Sequence, residues 1–320
     1  MNPELVEQIT KLIYEKLQSQ TVVTDEQRSS EVEVKFWNHI AGGQQHHSES
    51  DNFQTIEEKT HQTLHDVIEE INIESNPVIG IESPFDKEEL ASLISKTPAR
   101  IGVGRAGLRP KTNTWLKFRY DHAAAVDAVY GNVNPSLLES LSLFKVNTKV
   151  ADKEVYVRRP DFGRKLSEEA KQLITQKCKK SPTVQIIVSD GLSSKAIDEN
   201  LEDVYLSLNQ ALQGLGLDVG TPFFIEKGRV AAMDDVGELL KPKVIVYLIG
   251  ERPGLVSAES LSAYLCYEPR IGTIEADRMV VSNIHKGGIP PVEAGAYLGT
   301  VIQKILKYQA SGVSLVQKEQ

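Results

Sequence analysis

The chain has 320 residues, 40% hydrophobic and 25% charged, a composition typical of a globular protein of about two domains. It has no run of about 18 apolar residues and no basic start followed by an apolar run, so we expect neither a membrane span nor a secretory signal. The first 80 residues carry a net charge of −10 and the other 240 carry +2. General nucleic-acid binding is not expected, because it needs a strongly basic face.

The two cysteines, Cys178 and Cys266, are far apart and have no CxxC spacing or nearby histidine. This usage is typical of reduced thiols in a cytoplasmic protein, and it indicates neither a disulfide framework nor a structural zinc site. His61 and His65 are four residues apart, as metal ligands on one helix face can be, but no third ligand is positioned near them. A solvated helix face explains them better, and no metal site is predicted.

Apolar residues recur at steps of mostly three and four between residues 3 and 18, which predicts an amphipathic helix. We assign residues 1–20 to a docking helix and residues 21–75 to a polar linker that is partly helical over 55–75 and in part disordered. Such a helix either docks on its own domain or binds a groove in another protein.

Residues 76–181 are predicted to form a mostly helical domain. A helix capped by Asp86 is followed by a glycine-rich loop and by a helix that ends at Gly131. Residues 135–147 and 165–179 are interpreted as further helical stretches.

The pattern changes at Pro182, after which apolar β-branched runs alternate with helical stretches. The predicted strands are "TVQIIVSDG", "TPFFIEKGRV", "KVIVYLIGERPG" and "RMVVSNIHKGG", and the predicted helices include "MDDVGELLKP" and "SAESLSAYLCY". Alternating strands and helices favour a parallel sheet covered by helices. The predicted fold class is therefore α/β, with a helical N-terminal region followed by a Rossmann-like domain over residues 182–320 that has a mainly parallel sheet.

The stretch "RIGVGRAGLRPKT" spells G-x-G-x-x-G with Gly102, Gly104 and Gly107. A dinucleotide fingerprint needs a strand directly before the glycines and a helix directly after them. Here a helical stretch precedes the loop and Pro110 delays the next helix, so the context is missing. The loop carries bases and no acid between residues 100 and 119, which favours contact with an anion or a partner protein.

Polar, glycine-containing segments follow all four predicted strands, at residues 189–194, 227–230, 250–254 and 282–288. Ligands of open α/β sheets bind beyond the carboxyl ends of the strands, so these segments are expected to form one ligand-binding rim. The rim has no G-x-S-x-G elbow for a triad of Ser193, Asp190 and His285. Asn283-x-His285-x-x-Gly288 approximates a cobalt-ligating motif, but the orienting carboxylate is replaced by an amide, so His285 is not taken as a ligand.

Seven blocks between about residues 76 and 318 resemble, in order, the small subunit (light chain) of ethanolamine ammonia-lyase. They are "RIGVGRAGLRP", "RPDFGRKL", "VSDGLSSKAI", "VGTPFFIEKGRV", "IGERPGL", "ADRMVVSNIHKGGIPPVEAGAYL" and "YQASGVSL". The resemblance implies a lyase that uses adenosylcobalamin and a 5′-deoxyadenosyl radical to convert ethanolamine to acetaldehyde and ammonia. It further implies a large subunit with a TIM barrel that holds the substrate, an assembly of six subunit pairs, and a location in the cytoplasm within a bacterial microcompartment.

The family's cobalamin contacts fall on Arg229 with Val230, on Glu251 with Arg252, and on Val280. Family members often have cysteine where this chain has Val280. A valine side chain at this position still offers an apolar contact to a corrin edge. No catalytic residue is expected in this subunit. The resemblance also implies that residues 1–20 dock on a microcompartment shell. Two alternatives stay open, a nicotinamide-dependent oxidoreductase that uses the loop from Gly102 to Gly107 and an assembly scaffold with no cofactor role.

Overall fold

The computed structural model describes residues 80–97 and 99–320 of the chain. The predictions for residues 1–20 and 21–75, and for the histidine pair at 61 and 65, lie outside the described residues.

The helices of the described residues fall on both sides of residue 182. They are α1 (Lys87–Ser95), α2 (Thr112–Tyr130), α3 (Pro135–Ser140), α4 (Lys153–Arg158), α5 (Glu168–Lys177), α6 (Ser194–Gly214), α7 (Ala232–Leu240), α8 (Pro291–Tyr308) and α9 (Gly312–Glu319). Short polar side chains cap several of them, and Asp86 caps α1 as the sequence predicts. Asp86 Oδ1 accepts from the backbone N–H groups of Glu88 and Glu89, both at 2.9 Å, and Ser193 Oγ accepts from Ala196.

The eight strands of the described residues form two sheets. They are β1 (Arg105–Ala106), β2 (Arg109–Pro110), β3 (Phe144–Asn147), β4 (Val184–Ser189), β5 (Phe223–Glu226), β6 (Val244–Gly250), β7 (Leu261–Tyr267) and β8 (Arg278–Ile284). β1 and β2 pair with each other, and the other six follow the order β3-β5-β4-β6-β7-β8. The pairs among β3, β5, β4 and β6 are parallel, and the pairs β6–β7 and β7–β8 are antiparallel. This confirms the α/β class with a mainly parallel sheet.

The six-stranded sheet has an apolar cluster on each face. One cluster joins the sheet to α6 and α8, and the other joins it to α5 and α7. Every residue of β4 and of β6 is buried, as expected for central parallel strands covered on both faces. Large apolar side chains from alternate strand positions supply both clusters, and their burial is the main favourable contribution to stability.

The segment "SAESLSAYLCY" was predicted to be helical, and this is wrong, because residues 261–267 form strand β7. Leu261, Ala263 and Leu265 alternate with residues that face the other side, which is the period of a strand. The consequence for the fold is large. Since β7 runs antiparallel to both β6 and β8, β8 is parallel to β6 without a helical crossover.

The helical interpretation of residues 135–147 is also wrong in its second half. α3 ends at Ser140, Ser142 adopts a left-handed conformation (φ 55°), and the chain continues as β3. β3 pairs with β5 at the edge of the six-stranded sheet. The sheet therefore includes a strand that precedes the boundary predicted at residue 182. Within the described residues, no helix is long and apolar enough to cross a membrane.

Candidate functional site at the carboxyl edge of the sheet

The four predicted strand ends lie at one edge of the six-stranded sheet, called here the carboxyl edge. β4, β5 and β6 are parallel, and β8 has the same direction because two antiparallel pairings separate it from β6. The register pairs that show this are Ser189 with Ile225 and with Ile249, and Leu261 with Gly250 and with Ile284. From β5 to β8 there are four strand spacings, or about 19 Å, so the edge can accommodate a large ligand.

Arg229 and Val230 lie in the loop that joins β5 to α7. Val230 is half-buried and packs against the cluster under α5 and α7. The backbone N–H of Arg229 donates to the Gly163 carbonyl at 2.8 Å, and its guanidinium lies over the ring of Tyr156, 4.3 Å from the centroid. Arg229 Nη2 also donates to the Tyr156 carbonyl at 3.3 Å. The buried Nε of Arg229 has no hydrogen-bond partner among the described residues.

Tyr156 of α4 is fully buried beside this loop, and its hydroxyl donates to the Gly228 carbonyl at 2.8 Å. Burial raises the pKa of Tyr156, so the hydroxyl stays protonated and keeps donating. Gly163 makes the contact possible, because a Cβ there would lie 2.9 Å from Arg229 Cγ and 3.0 Å from Tyr156 Cε2. Only glycine lets these three residues approach so closely without a shift.

Asp190, directly after β4, fixes the same loop from the other side. Its Oδ1 accepts from the backbone N–H of Lys227 at 2.6 Å, and its Oδ2 pairs with Lys153 Nζ at 2.6 Å. The side chains of Asp190 and Lys153 are only 3% and 12% exposed. Lys227 itself is left-handed (φ 57°), a conformation that costs a non-glycine residue energy unless its neighbours hold it. The loop before Arg229 is therefore rigidly anchored.

Glu251 follows β6 and is half-buried. Its backbone N–H donates to the Ser260 carbonyl at 3.0 Å, and its Oε1 accepts from the Tyr264 hydroxyl at 3.0 Å. Burial and the adjacent Glu251 carboxylate raise the pKa of Tyr264 to about 12, so Tyr264 donates over the whole physiological range. Arg252 is exposed and makes no side-chain hydrogen bond or ion pair with another described residue.

Val280 lies in β8 directly opposite Tyr264 of β7. Its neighbours Met279 and Val281 face the core under α6 and α8, whereas Val280 points to the other face and is 47% exposed. We call Glu251, Tyr264 and Val280 the open strip, because the described residues leave this part of the sheet face partly uncovered. The structure thus brings Glu251 and Val280 together through a tyrosine.

The predicted site residues therefore fall into two groups on one sheet face. Arg229 and Val230 follow β5, and Glu251 of the open strip follows β6. Because β4 lies between β5 and β6, the two groups are two strand spacings or about 10 Å apart. Buried Ser262, which precedes Tyr264 on β7, has an Oγ without a partner among the described residues. Together the residues offer guanidinium donors, one carboxylate acceptor and two apolar side chains, which suits a flat, partly apolar ligand with polar edges.

His285 is engaged within its own loop. Its Nδ1 accepts from the Gly287 backbone N–H at 3.1 Å, which places the ring proton on Nε2, 2.8 Å from Asn283 Oδ1. In this conformation the imidazole offers no free lone pair to a metal. Ser193 caps α6 and donates to the Ala258 carbonyl at 2.6 Å, so it forms no triad with His285. No group of three or more potential metal ligands occurs among residues 80–97 and 99–320.

The glycine-rich loop forms a hairpin apart from the main sheet. Gly107 (φ 61°) takes the first position of the two-residue turn between β1 and β2. The loop therefore does not follow a strand of the parallel sheet, and the context of a dinucleotide fingerprint is not met. Arg100 pairs with Asp121 and donates from Nη2 to the Leu255 carbonyl at 3.0 Å, so this segment contacts the loop that carries Glu251 and Arg252.

Sequence reasoning missed Tyr156 and Tyr264. Tyr156 lies in a short helix between the predicted helical stretches, and only the adjacent block "RPDFGRKL" pointed to this region. The segment "SAESLSAYLCY", which contains Tyr264, favours a helix when only its sequence is considered. The alternation of "LSAYLCY" was the available signal, since it places Tyr264 on the face opposite Leu261, Ala263 and Leu265.

Comparison with known proteins gives one consistent result. A family model described as ethanolamine ammonia-lyase light chain (EutC) matches residues 87–316. The ethanolamine ammonia-lyase small subunit of Clostridium perfringens is 44% identical over 305 residues, covering 95% of this chain and 98% of that protein. The small subunit of Clostridium acetobutylicum is 50% identical over 229 residues, covering 72% and 95%. That of Clostridium tetani is 48% identical over 248 residues, covering 78% and 83%. The chain therefore belongs to the ethanolamine ammonia-lyase light-chain (small-subunit) family.

Proposed function

We propose that this chain is the small subunit of an adenosylcobalamin-dependent ethanolamine ammonia-lyase, which converts ethanolamine to acetaldehyde and ammonia only together with a large subunit. The observation that carries the proposal is that Arg229, Val230 and Glu251 lie at the carboxyl edge of the sheet, and that Val280 lies within β8 on the same sheet face. In this proposal the sheet and its helices act as a Rossmann-like domain that covers the cofactor. When bound, the cofactor supplies the radical that starts the reaction.

The residues present fit a corrin, whose rim carries amide side chains. Glu251 Oε1 is held by Tyr264, which leaves Oε2 to accept from an amide N–H group. Arg229 and Arg252 can donate to amide carbonyls or to the nucleotide phosphate. The unpartnered Nε of Arg229 supports this assignment, because buried donors normally have an acceptor. Val230 and Val280 supply apolar contact and exclude water.

The large subunit is the proposed partner of the region from Arg100 to Tyr130. Leu108 at the hairpin tip is 94% exposed, and α2 exposes Trp115 and Tyr120 at 52% and 70%. Only one residue of this 19-residue helix is buried. A helix with so little buried surface is stabilised only weakly by packing against its own domain. This supports contact of α2 with the TIM barrel in an assembly of six subunit pairs.

We further propose that residues 1–20 target the enzyme to a microcompartment shell in the cytoplasm. The support is the apolar stripe between residues 3 and 18 and the polar segment that follows it. Deletion of residues 1–20 should abolish co-purification with shell proteins and leave the activity of the complex unchanged. Persistent co-purification would contradict the targeting role.

The central experiment is reconstitution. The chain is co-expressed with an ethanolamine ammonia-lyase large subunit, adenosylcobalamin and ethanolamine are added, and acetaldehyde is measured. Activity should exceed that of the large subunit alone, and no gain would overturn the proposal.

Two variants separate a cofactor role from a scaffold role. Arg229→Ala and Glu251→Ala should each weaken cobalamin binding by about tenfold or more, since a charge-assisted hydrogen bond contributes about 1.5–3 kcal/mol. Arg270→Ala, an exposed arginine near the opposite edge of the sheet, is the matched control and should leave binding unchanged. Unchanged affinity in both site variants would favour the scaffold alternative.

Titration with NADH tests the oxidoreductase alternative, for which the hairpin geometry of Gly107 offers no support.

A further inference from the structure

Tyr156 lies 73 residues before Arg229 in the sequence, yet it contacts both the side chain of Arg229 and the backbone that precedes it. We propose that Tyr156 is a positioning residue of the cofactor site, which holds the Arg229 guanidinium in the orientation that cobalamin requires. This inference rests on the proposed function and extends it, because Tyr156 would act through Arg229 without itself touching the cofactor.

Three contacts define the positioning. The Tyr156 hydroxyl fixes the Gly228 carbonyl at 2.8 Å, one residue before Arg229. The ring supports the guanidinium at 4.3 Å, a distance suited to a cation–π interaction. The Tyr156 carbonyl accepts from Nη2 at 3.3 Å. Tyr156 therefore holds the preceding backbone, the plane and one nitrogen of the Arg229 guanidinium, and the Nε donor has no partner among the described residues.

The surroundings of Tyr156 restrict it in turn. The Gly163 carbonyl accepts from the backbone N–H of Arg229. Because Gly163 has no side chain, its backbone lies directly against both Arg229 and Tyr156. The ion pair of Lys153 with Asp190 joins α4, which carries Tyr156, to the end of β4. Because a buried aromatic ring in such a setting has few alternative positions, the guanidinium above it is pre-organised. Pre-organisation lowers the entropy that binding must overcome, so its loss weakens affinity.

Two substitutions separate the contributions. Tyr156→Phe removes the hydroxyl and keeps the ring, and it should weaken cobalamin binding about fivefold, from one lost neutral hydrogen bond. Tyr156→Leu also removes the ring and should weaken it about 20-fold, because the cation–π contact is lost as well. Affinity is measured in the complex with the large subunit by the visible spectrum of cobalamin. At saturating cofactor, kcat should change less than twofold, since Tyr156 does not contact the reacting atoms.

A second measurement needs no cofactor. Arginines of the full-length chain are modified with phenylglyoxal, and the rate at each site is followed by mass spectrometry of the peptides. Arg229 should react several times faster in Tyr156→Leu than in the parent chain, because its guanidinium is released. Arg252 has no contact with Tyr156 and is the internal control, and its rate should not change.

Tyr205→Phe is the matched control for loss of a buried tyrosine hydroxyl. Tyr205 is buried on the opposite face of the sheet, and its hydroxyl makes no hydrogen bond to another described residue. This variant should leave both cofactor affinity and Arg229 reactivity unchanged. If Tyr156→Leu does not fold, Tyr156→Phe decides the question.

The outcomes distinguish the inference from the proposed function. Unchanged affinity and unchanged Arg229 reactivity in the Tyr156 variants, together with weaker binding in Arg229→Ala, would overturn the positioning role and leave the function intact. A parent complex that does not bind cobalamin would overturn the function, while the modification rates would still show whether Tyr156 holds Arg229.

Discussion

The ion pair between Asp234 and Arg278 joins the first turn of α7 to the first residue of β8, and we predict that Asp234→Ala destabilises the chain strongly. Both oxygens of Asp234 accept from Arg278 Nη2, at 2.8 and 2.9 Å. The two side chains are only 9% and 3% exposed. The pair connects the helix that follows Val230 with the strand that carries Val280, so it also fixes the two sides of the candidate site.

The expected magnitude follows from the charge that the substitution leaves behind. Burial raises the pKa of the Asp234 carboxyl even though Arg278 opposes the shift, so the intact pair itself contributes little net stability. Removing one partner of a buried pair costs about 3–5 kcal/mol, because the other charge stays buried. In Asp234→Ala, Arg278 would still donate to the Thr273 carbonyl at 3.2 Å and pair with the Glu275 carboxylate at 2.8 Å. These contacts favour the lower end of the range of about 3–5 kcal/mol. We expect a loss of about 3 kcal/mol, or about 6–12 °C in Tm.

The measurement is urea unfolding and thermal unfolding of the full-length chain. Glu275→Ala is the matched control, because it removes the other carboxylate from the same guanidinium. Its side chain is 78% exposed, so the loss should stay below about 1 kcal/mol. Equal losses in Asp234→Ala and Glu275→Ala, or a loss below about 1 kcal/mol in Asp234→Ala, would refute the reasoning.

Four further predictions concern packing and ionisation. Gly228→Ala should lower the free energy of unfolding by about 1–3 kcal/mol through overpacking, because the added Cβ would lie 2.2 Å from the hydroxyl of the buried Tyr247. Gly214→Ala, with no atom within 4 Å of the added Cβ, should instead stabilise the chain by about 0.5–1 kcal/mol, and a loss there would contradict this view. Burial raises the pKa of Cys178 and Cys266 to about 11, so at pH 8 Ellman's reagent should react with them only after unfolding, and rapid reaction of the native chain would argue against their burial. The pKa of Tyr264 is raised above its ordinary value of 10.0 to about 12, so its stabilising contribution is complete below pH 10 and is lost as the pH rises through 12. Tyr264→Phe should flatten the decline of Tm over that range, and an unchanged decline would speak against the shift.

Most elements after residue 182 could be predicted because their patterns are strong. The buried run of β6 and the capped, amphipathic α6 each have a single consistent interpretation. β7 and β3 could not be predicted as securely. Their runs are short, "SAES" is also a plausible helix start, and strands of this length are stabilised mainly by their neighbours in the sheet.

The candidate site divides in the same way. The strand ends of β5 and β6 indicated Arg229 and Glu251 without any comparison, because the ends of parallel strands meet at one edge. Val280 could be assigned to the site only through the resemblance. Its exposure depends on the direction of β8, and that direction is determined by β7, which the sequence analysis predicted as a helix.

Local patterns and blocks in a fixed order were enough to predict the family, the order of most elements and the edge of the sheet at which polar residues collect. Only the tertiary structure determined that Tyr156 supports Arg229 and that Tyr264 bridges Glu251 and Val280. Those contacts join residues that are 13 to 73 positions apart. No local periodicity specifies such contacts, because they depend on how the sheet is ordered and on which face each strand presents.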